Sequence, residues 1–165
     1  MALWQEFLAE FFDGHDHDVD ALNHAVTFPA ATLEFGQARN PQPLNGALIT
    51  LMWLSPGRVR PIWEMIGPPD SRHVGKMGLA EVTWMFWIRA KVVDVGAGNS
   101  VWLATLVASR LYGVLANLTA CAPLALKGID RLNPDSPVTV VDSDYAIRLV
   151  ACRSRLRYPL SVQDL

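Results

Sequence analysis

The sequence predicts an α+β fold in one domain spanning residues 1–165. The expected form is a mostly antiparallel, twisted sheet packed by an N-terminal helix and a main helix, with a long loop or hairpin arm at about 55–79. Three observations lead there. Residues 81–95 alternate like a long strand, residues 101–118 carry a helical stripe, and the chain opens on a second apolar helix signal. A chain of 165 residues, 51% hydrophobic and only 18% charged, is long enough to bury a core and too apolar to be disordered.

The first helix is expected from "MALWQEFLAEFFDG". Leu3, Trp4, Phe7, Leu8, Phe11 and Phe12 recur on one face, and Gln5, Glu6, Ala9, Glu10 and Asp13 form the other. Gly14 is the natural C-cap. The polar face has acids and no bases, so a sheet or a neighbouring subunit suits it better than a membrane surface. "HDHDVD", residues 15–20, has good metal ligands, but only His73 lies far enough away to close a coordination shell. A solvated turn without metal is the expectation.

A short strand is expected at 31–35. The apolar run "ALITLMWL", 47–54, then reads as a central strand buried on both faces. Residues 55–79 hold four Pro and four Gly together with Arg58, Arg60, Arg72 and Lys76, the composition of a long loop or a hairpin arm. In "EVTWMFWIRAKVVDV" Val82, Trp84, Phe86, Ile88, Ala90 and Val92 share one face. Their spacing also suits a base-stacking platform, but few bases surround it, and core packing is preferred. "GAGNS" lacks the spacing of a dinucleotide or phosphate loop, and Asn99 or Ser100 is the expected cap of the next helix. That helix presents Leu103, Leu106, Val107, Arg110, Leu111, Val114, Leu115 and Leu118, and Asn117 and Pro123 are expected to end it. Trp84, Phe86 and Ile88 should pack against Leu103, Leu106, Leu111 and Leu115. Strands are expected at 138–141 and 145–154, joined by a turn at 142–144. In the last strand Tyr145, Ile147, Leu149 and Ala151 read as the core face, continued by Arg153, Arg155 and Arg157. Either a bulge near Cys152 or an excursion onto an interface would explain the change.

Function is read mainly from what is missing. No nucleophile elbow, zinc-protease helix or paired-cysteine motif occurs, so no catalytic or metal-binding residue, cofactor or enzyme activity is assigned. Cys121 and Cys152 lie among apolar residues and are expected as free thiols. No basic stretch precedes the first apolar segment, and no run makes a membrane span, so a chain made in the cytoplasm is expected. Net charge is −2, yet it is unevenly placed. Residues 1–38 hold seven acids and no base, whereas the remainder holds fourteen bases and nine acids. That polarity and six Trp favour association with partners over catalysis. The expected subunit or partner contacts are Arg153, Arg155 and Arg157, facing the acidic N-terminal segment or Asp142 and Asp144. Arg58, Arg60 and Trp63 of the arm are also candidates.

The stretch "TWMFWIRAKVV", followed by "GNSVWLATLVASRLYGVLAN" and "APLALKGIDRLNPDSPVTVVDSDYAIRLVACRSRLRYPL", resembles the tail terminator proteins of long-tailed bacteriophages. The similarity is one of element order over residues 1–160, closest over 80–160, and the arm is longer than the family pattern requires. The resemblance implies a structural virion protein of the tail or neck, assembled in the host cytoplasm. It would form a homohexameric ring on the head-proximal end of the tail tube, stop tube polymerisation and join the tail to the head connector. Implied partners are further copies of itself, the tail tube protein and connector or adaptor proteins. DNA is implied only as cargo passing through the lumen. Two alternatives stay open: a head-completion or other neck adaptor, and an unrelated α+β binding module.

Overall fold

The computed structural model describes residues 2–13, 16–19, 25–27, 30–35, 46–53, 59–65, 74–93 and 96–159. The fold is α+β. Its main sheet has seven strands among the described residues: β3 (Ala31–Phe35), β4 (Gly46–Trp53), β5 (Val59–Met65), β6 (Val74–Lys91), β7 (Ile129–Pro134), β8 (Val138–Val140) and β9 (Ala146–Pro159). The order across it is β3-β4-β6-β9-β7, with β5 pairing β6 and β8 pairing β9. Only β3 and β4 run parallel. Helices α1 (Ala2–Ala9), α2 (Gly96–Ala116) and α3 (Ala122–Leu126) accompany it.

Beta-branched and aromatic alternation makes β6 the spine of the molecule. It is 18 residues long, and Val82, Trp84, Phe86, Ile88 and Ala90 are buried on one face. They share one core with Val107, Leu111 and Leu115 of α2, as the sequence leads one to expect. Leu103 is only partly buried against that core. Leu106 is half-buried, and Leu118 lies beyond the helix end, 79% exposed. Alanines take the positions nearest the sheet: Ala104 and Ala108 are fully buried. Small side chains allow the helix to approach closely. Arg110 interrupts the stripe because its guanidinium lies over the Phe11 ring, 5.7 Å from the centroid.

The first helix packs on the same core. Trp4 is edge-on to both Trp84 (5.2 Å) and Phe86 (5.5 Å). It is shorter than expected: after Ala9 the chain tightens into turns through Phe11 N–H to Leu8 O and Phe12 N–H to Ala9 O. Gly14 lies outside the described residues. Ala31 N–H then donates to Phe12 O, which moors the start of β3 to the helix.

β4 matches its expectation, with residues 47–51 buried on both faces. The 55–79 segment contains a hairpin: β5 pairs with the first part of β6 from Val59↔Ala80 to Met65↔Val74. "HDHDVD" is corrected in part. Asp16–Val19 is a strand, β1, paired antiparallel with β2 (Ala25–Thr27) in a separate two-stranded sheet. Strict alternation of polar residues gives no hydrophobic sign of pairing, so the segment reads as a turn. His15 and the His17 side chain lie outside the described residues.

Helix α2 begins earlier than expected, and Asn99 and Ser100 fall inside its first turns. Ser100 Oγ instead accepts the Val92 N–H at 2.9 Å, clamping the end of β6 to the helix. Asn117 does end α2: its Oδ1 accepts N–H bonds from Thr119 and Ala120. Pro123 does not end α2 but sits in the first turn of α3, where the missing N–H costs nothing. Gly128 follows with φ +92, and a Cβ there would lie 2.7 Å from the Arg157 carbonyl oxygen. Arg157 N–H donates to Gly128 O at 2.8 Å, so the two backbones cannot move apart. Gly128→Ala should therefore cost about 2 kcal/mol, combining left-handed backbone strain with the clash. Urea denaturation checks this, and a loss under about 0.5 kcal/mol would mean that the turn relaxes freely.

Candidate interaction surface

β9 carries three of the expected contact residues, and its faces are opposite to those predicted. Its register against β6 is unbroken from Ala90↔Ala146 to Met77↔Pro159, so no bulge lies near Cys152. The core face is Val150, Cys152 and Ser154, paired with Phe86, Trp84 and Val82. Trp84 Nε1 donates to Ser154 Oγ at 2.7 Å inside that core. Leu149 and Ala151 share the other face with Arg153, Arg155 and Arg157, away from the helices. Ile147 is buried on that side too, so both faces of the strand look apolar over its first half. Hydrophobicity alone therefore could not choose between them.

The arginines are not an unneutralised stripe. Asp130 of β7 lies opposite Arg155 and accepts two bonds from its guanidinium, from Nε and Nη2, each at 2.7 Å. Arg157 Nη2 approaches the same carboxylate at 3.4 Å. The bidentate bond from Arg155 holds the Asp130 carboxyl below its ordinary value of 3.8, against an opposing effect of burial and with help from the charges of Arg155, Arg157 and Arg131. Arg153 pairs with Asp135 at 3.1 Å, and both side chains are more than half exposed. Asp130 and Asp135 come from the segment just before β9, so the stripe is neutralised from within its own subunit.

Between β7 and β9 the register shifts after Asp130, and Arg131 takes φ 53. The shift opens a groove of about 440 Å³ lined by Glu81, Thr83, Arg131, Asn133, Arg153 and Arg155, among others. The sequence offers no sign of this groove: "IDRLNP" has no alternation and contains turn formers.

The other candidates are dispersed. Asp142 and Asp144 sit in the turn before β9, at the end of that strand remote from Arg153. Asp142 Oδ1 accepts the N–H groups of Asp144 and Tyr145, which closes the turn. Arg60 and Trp63 are in β5, within the arm; their side chains and all of Arg58 lie outside the described residues.

A second surface was missed. The outward face of α2 presents Val101, Trp102, Thr105, Ser109, Tyr112, Gly113 and Ala116, all exposed and none charged. Trp102 is 65% exposed. The signal was legible: Arg110 is the one charged residue in the helix.

The thiols of Cys121 and Cys152 are free and buried. Burial pushes them up to about 11 and about 12, so neither is a nucleophile near neutral pH. Among the described residues, no group of three His, Cys, Asp or Glu could hold a metal ion. No helix among them is long and apolar enough to cross a membrane. No protein-family model matches the chain, and no curated protein matches it.

Proposed function

We propose that this chain is a ring-forming structural protein of the phage tail terminator type. It would cap the head-proximal end of a tail tube and present the surface to which the head connector binds. The observation that carries the assembly part is the outward face of α2. A solvent-facing helix normally displays charge of its own, whereas this one exposes Val101, Trp102 and Tyr112 along about 16 Å of its axis, with the Arg148 guanidinium of β9 resting on Thr105 of that face. A contiguous face of that kind suits a protein partner. The tail and the ring are supported by the resemblance in element order, which the hairpin arm of β5 and β6 exceeds rather than matches.

Native mass spectrometry and negative-stain imaging of the purified chain test this reading. Six-subunit rings that bind one end of isolated tail tubes are the expected result. Trp102→Glu should weaken the ring while leaving circular dichroism unchanged, because the side chain lies outside the core. A chain that stays monomeric at tens of micromolar would sink the reading.

A further inference from the structure

The groove between β7 and β9 is left without a role by the fold. Its arginines differ in how firmly they are held. Arg155 is locked by two short bonds to Asp130, and Arg157 leans on the same acid. Among the described residues, Arg153 has only its exposed pair with Asp135, 63% and 53% accessible, and such pairs exchange readily. Arg131 is exposed and, among the described residues, makes no hydrogen bond or salt bridge, acting on Asp130 only through its charge. Two guanidinium groups, one from each strand flanking the groove, are therefore available to an incoming anion. Thr83 and Asn133 line the same space and add donors. Arg131 is held at φ 53, a conformation disfavoured outside glycine, which fits a residue placed for contact.

The local charge narrows the class of ligand. Arg131, Arg153, Arg155 and Arg157 are opposed by Glu81, Asp130 and Asp135, leaving about one positive charge. That is too little for a polyanion such as nucleic acid, which wants a run of unopposed bases. Isolated carboxylates fit better. The chain supplies them in residues 1–38, which hold seven acids and no base. Within that segment, Asp16 and Asp18 lie in β1, and the β1–β2 hairpin forms its own sheet with no hydrogen-bonded register to the main one.

We propose that the β7–β9 groove receives the acidic β1–β2 hairpin of a second copy of this chain, with Asp16 and Asp18 paired to Arg131 and Arg153. The inference rests on the ring reading, because a heterologous contact of this kind joins two different patches of one subunit and can close into a ring.

The test is a charge swap in the full chain, read by sedimentation and native mass spectrometry. Arg131→Glu with Arg153→Glu should raise the apparent dissociation constant between subunits at least tenfold. Arg131→Gln with Arg153→Gln should act in the same direction, more weakly. Adding Asp16→Arg and Asp18→Arg to the groove reversal should bring association back to within about threefold of the original. Association unchanged by the groove reversal, or not restored by the swap, overturns the pairing. A loss of melting temperature without loss of association would place the contact within one subunit and overturns it as well. If the unaltered chain is monomeric, the ring reading fails by itself, and the groove is tested with a labelled peptide of residues 13–24. Binding that weakens at least tenfold with the groove reversal, and weakens between 50 and 500 mM salt, supports the site; equal or absent binding overturns it.

Discussion

Phe86→Ala is expected to destabilise the protein by about 3–5 kcal/mol, lowering the melting temperature by roughly 10 °C. Phe86 has no exposed surface and sits in the longest strand, paired to Leu51 on one side and Val150 on the other. Trp4 closes over it edge-on, so truncation removes an aromatic pair along with the buried area. The neighbours cannot collapse into the space, because β4 and β9 fix the backbone on both sides. Phe86→Leu should retain more than half of the lost stability by filling most of the volume. Urea denaturation followed by tryptophan fluorescence, at one fixed protein concentration, measures both. A loss below about 1 kcal/mol would mean that this face of β6 does not form the core.

Asp130→Ala is expected to cost about 3 kcal/mol at neutral pH. One carboxylate holds Arg155 through two bonds and Arg157 through a third contact, and its side chain is only 19% exposed. Removing it takes the bidentate partner from Arg155 and a carboxylate at 3.4 Å from Arg157, two guanidinium groups on the same face, two residues apart. The effect depends on pH in a definite direction. The carboxyl is held below 3.8 in the folded state, so its contribution is complete above the unfolded value and is lost as pH falls through the folded one. The stability difference between the unaltered chain and Asp130→Asn should therefore be constant above about pH 5 and shrink below about pH 4. A difference that stayed constant down to pH 2 would remove Asp130 as the cause.

What could be read from the sequence was what local pattern determines. The run at 47–54 gave away a strand buried on both faces because a polar face was missing. Asn117 ended α2 through the side-chain acceptor that makes asparagine a helix terminator. The hairpin in the 55–79 segment was one of two readings that its Pro and Gly content allowed, and strand pairing decides between them.

What could not be read depended on partners distant in the chain. β7 is a strand because β9 offers it an edge and Arg155 a counter-charge, 25 residues away from Asp130. Nothing within "IDRLNP" announces either. The arginine face was misjudged for the same reason: of its neutralising acids, Asp130 belongs to β7 and Asp135 follows that strand. Pro123 signalled a break correctly, but a break and the start of α3 look alike in sequence. The groove needs three strands and a register shift to exist, so no single segment could show it.

The shared strand has a mechanical consequence. β6 runs without interruption from the hairpin arm into the core, and β9 lies beside it over fourteen consecutive residue pairs. A pull on the arm along its own direction would load those pairs in shear. They would have to yield together, rather than peel one after another as in a strand pulled sideways from an edge. The arm is thus a handle continuous with the longest strand of the sheet, and tension applied along it would reach the Trp84–Phe86 region through β6 itself.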